Sequence, residues 1–445
     1  MSFNIGLSGI SAASKQLDIT GNNIANVATH GFKSSRAEFA EVYSASKLGS
    51  GSSNIGNGVR LANVSQQFVQ GDVNNSGNVL DMGIQGQGFF VLSDNGSLIY
   101  SRAGAFNADK DGYVTNVDGT LRLQGYGVDA DGKVINGALT DLRIDTSNLQ
   151  PKATGVVDST FNFDSSAKVI ATNLDFDPSD KKSFTKQFTT PIFDTQGNEH
   201  RMDQYMVKAD DNGWFVYTLI DGRNPDGSKF STDIADPGWQ DPVIMEFDSS
   251  GKLASVTAPL SQPGDPVTVT GTTITVSGWV PGSVDKAGVW TANGAVANAG
   301  GVAINMERTT QFKADTARTS LSQDGYSTGQ ITNLTIDDSG TMFANFSNQQ
   351  SKAIGQVALA SFSNEQGLQP VGGSAWKETF SSGVAAYDAP KTGTLGSLVS
   401  GALEESNVNL TSELVNLIKA QSNYQANAKT ISTQSTVMQT IIQMT

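Results

Sequence analysis

Both ends of this chain carry apolar residues at heptad spacing, with almost no charge around them. The first stripe runs from Phe3 to Ala28, and the second runs from Leu403 to Ile442. Apolar residues that alternate at three and four positions are typical of helices packed along one another. We therefore predict a long helix at each end of the chain, with its stripe buried against another helix.

The polar faces of the two predicted helices lack charge. Residues 1–32 contain only Lys15 and Asp18 as charged residues, and residues 420–445 contain only Lys429. An ordinary surface helix has a charged face opposite its apolar stripe. Uncharged polar faces instead favour helices surrounded by copies of the same chain, so the stripes predict self-assembly. The expected assembly positions are Phe3, Leu7, Ile10, Leu17 and Ile24 on the N-terminal helix, and Leu403, Leu410, Leu414, Leu417, Tyr424, Ala428, Ile431, Met438 and Ile442 on the C-terminal helix.

Composition narrows the class of protein. A chain of 445 residues can form two or three domains, and its 47 glycines favour turn-rich β structure between the helices. The net charge of −14, without a basic run, argues against nucleic acid or an anionic membrane as a partner. The chain has no cysteine, which excludes disulfides and thiolate chemistry. No apolar run reaches the roughly 20 residues that span a bilayer.

The order of segments predicts a nested architecture. We expect a mainly β protein with α-helical termini, in which the terminal helices pair in a coiled-coil-like manner and one β domain is inserted in another. A Ser/Gly-rich stretch at residues 44–58 is expected to be a connector. The predicted domains are 1–75 (N-terminal helix plus connector, inner core), 76–150 with 304–392 (discontinuous β domain), 151–303 (inserted outer β domain) and 393–445 (C-terminal helix, inner core).

Elements that resemble catalytic or metal sites have simpler interpretations. Residues 107–118 place oxygen-bearing side chains at calcium-loop positions one, three and five, with Gly112 at position six. The flanks are strand-like and position twelve is Asp118 rather than Glu, so a hairpin turn is the better interpretation. The two histidines, His30 and His200, lack a nucleophile motif and are expected to be solvated loop residues. We expect no enzyme activity, no metal site and no cofactor.

Specific motifs within the stripes resemble a known family. The matching segments are 17–34 (LDITGNNIANVATHGFKS), 80–90 (LDMGIQGQGFF), 401–410 (GALEESNVNL) and 421–427 (QSNYQAN). Together they resemble the signatures of the bacterial flagellar rod and hook axial proteins, in the expected order. The resemblance adds Asn22, Asn23 and Asn26 to the expected assembly residues. The large middle segment, 151–303, favours the hook branch of the family, since rod proteins mostly lack such an insertion.

The resemblance implies an extracellular structural protein of the flagellum, found at the hook and basal body. It would be exported by the flagellar type III apparatus without a cleaved signal peptide, and its copies would polymerise into a flexible curved tube. That tube would act as a universal joint that passes motor torque from rod to filament. The implied partners are other copies, the rod, the hook cap, the hook–filament junction proteins and the export apparatus, with no nucleic acid and no membrane insertion.

Two other functions remain open from the sequence. A distal rod protein would share the terminal motifs but would build a straight, rigid tube. A secreted adhesin or carbohydrate-binding β protein with coiled-coil ends would display exposed aromatic clusters. The inserted segment argues against the first alternative, and the terminal motifs argue against the second.

Overall fold

The computed structural model describes residues 2–42, 56–129, 132–135, 137–170, 176–233, 236, 238–258, 266–284 and 289–444. Of the connector predicted at 44–58, positions 44–55 lie outside the described residues. Within the described part the α-helices are α1 (Ser2–Ala25) and α2 (Leu410–Met444), and the regular structure between them is almost entirely β-strand. The predicted class, mainly β with helical termini, is therefore confirmed.

The strands fall into two compact units that the chain visits in nested order. The first unit comprises Met1–Thr146, Thr332–Asn345 and Ser351–Thr445, and the second comprises Ser147–Ile331 and Phe346–Gln350. The strands are β1 (Ser35–Glu41), β2 (Val59–Gln66), β3 (Val73–Asn75), β4 (Met82–Gln85), β5 (Phe89–Asp94), β6 (Ser97–Ser101), β7 (Phe106–Ala108), β8 (Val114–Asn116), β9 (Arg122–Tyr126), β10 (Thr140–Asp141), β11 (Val156–Asp164), β12 (Lys186–Phe193), β13 (Glu199–Lys208), β14 (Gly213–Ile220), β15 (Val243–Phe247), β16 (Leu253–Thr257), β17 (Val267–Thr270), β18 (Thr273–Val276), β19 (Gly282–Val284), β20 (Trp290–Ala292), β21 (Val302–Asn305), β22 (Thr310–Phe312), β23 (Ala317–Gln323), β24 (Ile331–Ile336), β25 (Thr341–Phe346), β26 (Ser351–Val357), β27 (Leu359–Ser361), β28 (Gln369–Gly372), β29 (Ala375–Lys377), β30 (Ala386–Asp388), β31 (Ser397–Ser400) and β32 (Ala402–Glu404).

The first unit is built on one large sheet whose main path runs β24, β25, β26, β9, β5, β6, β29 and β28. The strand β5 alternates its side chains between two cores: Phe90 and Leu92 face one, while Phe89 and Val91 face the other. This alternation is the period of two that a strand imposes. Two short ribbons, β4 with β31 and β3 with β32, join segments from opposite ends of the chain.

The second unit packs two sheets against each other. An antiparallel sheet runs β12 to β16 in chain order, and a mixed sheet runs β17, β18, β21, β11 and β22, with β23 also paired to β11. Their shared core includes Phe163 from β11 and Trp214 from β14, with ring centroids 4.7 Å apart. A second aromatic cluster around Phe176 and Tyr217 covers the other face of the β12–β16 sheet.

Three predicted boundaries need correction. The inserted unit continues past residue 303, because β22 and β23 both pair with β11 rather than joining the first unit. The C-terminal segment 393–445 is not all helix, since its first part forms β31 and β32. The segment 1–75 also contains the β1–β2 hairpin, a ribbon that the prediction of helix plus connector omitted.

Candidate assembly surface

α1 and α2 pack against each other in antiparallel order. A Cβ atom built on Gly6 would lie 2.9 Å from Cγ1 of Ile431, and one built on Gly9 would overlap the side-chain amide of Asn427. Later positions on α1 thus meet earlier positions on α2. The two glycines allow the helix backbones to approach closely, which a larger side chain at either position would prevent.

Small residues form the centre of the α2-facing side of α1. Gly6, Ala13 and Thr20 recur every seven residues and are all buried. Ile10, Leu17 and Ile24, from the predicted stripe, flank this line and are half-buried. The predicted stripe, from Phe3 to Ala28, follows a heptad row beside the row of Gly6, Ala13 and Thr20. The true centre was missed because Gly, Ala and Thr carry little hydrophobic signal.

Two predicted positions on α1 are not used in this contact. Phe3 and Leu7 lie on the flank of the helix, 49% and 54% exposed. Burying a side chain of this size stabilises a protein by about 1.5–3 kcal/mol. A contact that buried Phe3 and Leu7 would therefore be strongly favourable. The predicted stripe therefore divides into a part that pairs α1 with α2 and a part that remains accessible.

The α2 stripe divides in the same way. Ala420 is completely buried, and Leu417, Ala428 and Ile431 are half-buried. The other predicted helix positions are exposed in the single chain. They are Leu410 (44%), Leu414 (45%), Tyr424 (40%), Met438 (58%) and Ile442 (71%).

Leu403 was predicted on the C-terminal helix, and this placement is wrong. Leu403 lies in β32, opposite Asn74 of β3, and it is buried. The helix begins only at Leu410, where the side chain of Asn409 accepts a 3.0 Å hydrogen bond from the amide of Ser412. That N-cap satisfies one of the amides that a helix leaves open at its start, which fixes the boundary.

The three asparagines near the end of α1 have different surroundings. Asn23 is buried, and its side chain exchanges two hydrogen bonds with the backbone of Ser35, at 2.9 and 2.8 Å. Asn22 is exposed within α1. Asn26 lies beyond the helix end at Ala25, so its placement on the helix is corrected; its side chain donates to the carbonyl of Asn22. Asn23 thus attaches α1 to β1.

A buried ion cluster lies where the chain ends meet the large sheet. Glu404 accepts from Nζ of Lys33 at 2.6 Å and from the guanidinium of Arg102 at 3.0 Å. All three side chains are at least 96% buried. We call Lys33, Arg102 and Glu404 the terminal cluster.

Backbone groups provide further hydrogen bonds to the terminal cluster, although the buried Nε of Arg102 has no partner. Lys33 donates to the carbonyl of Val69, Arg102 donates to that of Gly86, and the amide of Gly71 donates to Glu404. Burial lowers the pKa of Lys33, and the nearby Glu404 only partly opposes that effect. Burial lowers the pKa of Arg102 in the same way. The cluster is stable because its charges are paired, and removing one partner would leave a buried charge without compensation.

Backbone contacts reinforce the same junction. The amide of Gly31 donates to the carbonyl of Glu404 at 2.8 Å, and a Cβ on Gly31 would overlap the backbone of Ala103. Asn407 accepts from the amide of Ser34 and donates to the carbonyls of Gln67 and Val69. Residues from the motifs 17–34 and 401–410 therefore meet at one junction. Gly86 of the motif 80–90 joins them there through its hydrogen bond from Arg102.

The elements that resembled other sites have structural roles. In the calcium-like segment, Oδ1 of Asp109 accepts from the amides of Asp111 and Tyr113 across the β7–β8 turn. Within the described residues no group of three or more metal-ligating side chains could hold an ion. His30 is exposed, but the prediction of a solvated His200 is wrong, since that ring is buried in β13. No helix in the described part is both long and apolar enough to cross a membrane.

Four family models match along the chain. They are the flagella basal body rod protein (residues 3–33), the flagellar hook protein FlgE/F/G D1 domain (83–158), the flagellar basal body protein FlaE D2 domain (157–326) and the flagellar basal body rod FlgEFG protein C-terminal model (399–444). The two terminal models cover α1 and α2, and they also include Lys33 and Glu404.

Curated relatives match over the full length. The flagellar hook protein FlgE of Escherichia coli K12 is 35% identical, and the alignment covers 100% of both chains. FlgE of Treponema pallidum is 30% identical, over 99% of this chain and 98% of the relative. Among solved structures, the Helicobacter pylori hook protein FlgE2 matches 74% of this chain and 100% of its own, with a TM-score of 0.47 and 14% identity.

Proposed function

The chain belongs to the flagellar hook protein family, and on that premise we propose that its copies build the hook through the exposed apolar faces of α1 and α2. The protein is a structural subunit of the bacterial flagellar hook, and its family is structural rather than enzymatic. The terminal helices carry the residues by which one copy would contact the next.

The observation that carries the proposal is the apolar surface left on α2. Near its start, Leu414, Val415 and Ile418 are between 45% and 61% exposed. Near its end, Val437 and Met438 are 46% and 58% exposed. Contiguous apolar surface of this kind is rare on a soluble monomer and marks interaction sites. Because the family forms a polymer, a second copy of the chain is the expected occupant.

The different lengths of the two helices support the same proposal. α1 has 24 residues and α2 has 35. From the antiparallel contacts at Gly6 and Gly9, the start of α1 lies level with roughly residue 435 of α2, since both helices rise 1.5 Å per residue. Met438 lies on the same face of α2 as Ala420 and Ile431, but beyond the start of α1. We propose that a helix of a neighbouring copy packs against α2 there.

The lack of charge supports a position at the inside of the tube. Lys15 and Asp18, the charged residues of α1, lie 3.3 Å apart and neutralise each other. We propose that the helices line a channel through which unfolded subunits travel during export. A wall with few fixed charges offers few electrostatic attachment points to a passing chain.

The inserted unit favours a hook subunit over a distal rod subunit. Residues 157–326 match the D2 domain model, and the second compact unit spans Ser147–Ile331. We further propose that the hook transmits torque from rod to filament and contacts the rod, cap and junction proteins. Export through the flagellar type III apparatus without a cleaved signal, and the absence of any catalytic activity, complete this proposal.

The test compares two charge substitutions on α2. Met438→Asp places a carboxylate on the exposed end of the apolar line, and we expect no tubes by electron microscopy. Thr436→Asp adds the same charge on the side of the helix opposite Met438, at an exposed polar position, and should leave assembly intact. Tubes of normal length from Met438→Asp would refute the proposed surface. Circular dichroism of both monomers shows whether the helices have formed.

A further inference from the structure

His200 is enclosed at one end of the β12–β16 sheet, between two aspartates. Its ring is 95% buried and meets the edge of Trp279, with ring centroids 5.0 Å apart. Nδ1 lies 2.7 Å from Oδ2 of Asp221, and Nε2 lies 3.2 Å from Oδ2 of Asp194. Carboxylates have no proton to donate at neutral pH, so both ring nitrogens must donate for both contacts to be hydrogen bonds. This geometry selects the imidazolium.

The two aspartates attach three separate segments to the ring. Asp194 directly follows β12 and begins the turn into β13. Its carboxylate also accepts from the amides of Gln196 and Asn198 and from the side chains of Asn198 and Asn293. Asp221 follows β14 in a two-residue turn, with φ of +53° and with Gly222 at +73°. Asn293 follows β20. One protonated ring therefore joins the ends of several elements.

The charged groups around the ring favour its protonated form. Burial alone would lower the pKa of His200, but the hydrogen bonds to Asp221 and Asp194 outweigh burial and raise it. Glu199 lines the groove that exposes part of Asp221, and it adds another negative charge nearby. Among the described residues, no cation contacts the ring. The imidazolium is thus a positive charge surrounded by the carboxylates of Asp194, Asp221 and Glu199.

We propose that His200, Asp194 and Asp221 form a protonation-dependent latch that holds these segments together and opens when the imidazolium loses its proton. A neutral ring keeps one N–H group and can satisfy only one carboxylate. Asp194 is completely buried and cannot reach water, whereas the side chain of Asp221 is 26% exposed. The remaining proton therefore stays on Nε2, where the ring donates to Asp194, and Asp221 turns toward solvent.

The direction of the pH dependence follows from the raised pKa. The stabilisation is complete below the unfolded histidine pKa of about 6.5 and is lost as the pH rises through the higher value of the folded state. The latch is closed in acidic solution below the unfolded pKa and opens once the pH rises above the raised pKa of His200. The backbone amide of Arg201 donates to Oδ1 of Asp221 at 2.9 Å. This hydrogen bond should break when Asp221 turns away, so exchange of the Arg201 amide reports whether the latch is open.

The test begins with the full-length monomer labelled with ¹³C at the histidine ring. The chain has two histidines, so a His30→Gln variant assigns the two signals. We expect the His200 signal to titrate above the ordinary histidine value of about 6.5. Asp221→Asn removes one carboxylate and should lower the His200 midpoint. A wild-type His200 midpoint at or below about 6.5, or an Asp221→Asn midpoint equal to wild type, overturns the latch.

Hydrogen exchange provides a readout that does not depend on any variant folding. After correction for intrinsic rates, protection of the Arg201 amide in wild-type protein should fall about tenfold as the pH passes through the His200 midpoint. His200→Gln should remove this step, and His30→Gln should keep it. Constant protection in wild-type protein across the titration would overturn the proposal. These measurements use monomer, so their failure leaves the assembly surface unaffected.

Discussion

Nζ of Lys33 lies 2.6 Å from Oε1 of Glu404, and both side chains are completely buried although 371 positions separate them. The pair joins the segment that follows α1 to the segment that precedes α2. Arg102 brings the large sheet into the same contact. The terminal helices are therefore connected to the first unit through charge pairing as well as through apolar packing.

Replacing Glu404 should destabilise the first unit strongly. Glu404→Gln preserves the shape but leaves Lys33 and Arg102 buried without a counter-charge, which costs about 3–5 kcal/mol. Urea unfolding followed by circular dichroism at 222 nm reports on this unit, because α1 and α2 both belong to it. The control is Glu405→Gln, at the exposed neighbouring position. Equal unfolding midpoints for the two variants would contradict the role of the cluster.

The close approach of α1 and α2 predicts opposite outcomes at two glycines. Gly9→Leu should separate the helices and lower helicity, since even a Cβ there overlaps Asn427. Gly21→Ala should be neutral or stabilise by up to about 1 kcal/mol, because nothing lies within 4 Å of its Cβ and Ala favours helix. Thermal unfolding by circular dichroism distinguishes them. A Gly9→Leu protein as stable as wild type would show that the helices do not pack here.

Some features of the terminal helices were predictable from the sequence, and others were not. The terminal helices were predictable because heptad spacing is a local signal, and the hook family because its motifs are long and ordered. Gly6 and Ala13 were missed as the contact line because small residues carry little hydrophobic signal. Leu403 was misplaced because it fits the heptad spacing, while its pairing with Asn74 depends on a distant segment. The burial of His200 likewise arises only from long-range contacts.

The corrected start of α2 predicts that two truncations behave differently. A chain that ends after Asn409 loses α2 but keeps Glu404, Asn407 and β32, so it should be a folded monomer that forms no tubes. A chain that ends after Ala402 also loses the partner of Lys33 and Arg102, and it should unfold at lower urea concentration. Urea unfolding compares their stability, and size-exclusion chromatography shows whether each is monomeric. Tubes from the longer truncation would contradict assembly through α2.

The second unit should lose stability in acid. Hydrogen bonds from the amides of Val156 and Gly155, together with Lys152, outweigh burial and lower the pKa of Asp324. A lowered folded-state pKa contributes stability above the unfolded value of about 3.9, and that stability is lost as the pH falls through the folded value. Fluorescence of Trp214 and Trp279, buried in this unit, follows unfolding between pH 6 and 2.

The control for the acid effect is Asp324→Asn. This variant should be less stable than wild type at pH 6, and the difference should shrink toward pH 2 as Asp324 itself becomes protonated. A difference in stability that stays constant over the whole range would show that the carboxylate charge at position 324 contributes nothing.

A helical reconstruction of the assembled tube tests the central claim most directly. We predict that Phe3, Leu7, Leu414 and Met438, each between 45% and 58% exposed in the single chain, become buried against helices of neighbouring copies. The α1–α2 contact at Gly9 and the Lys33–Glu404 pair should persist within each subunit. A tube held together by the β units alone, with these four side chains still facing solvent, would contradict this claim.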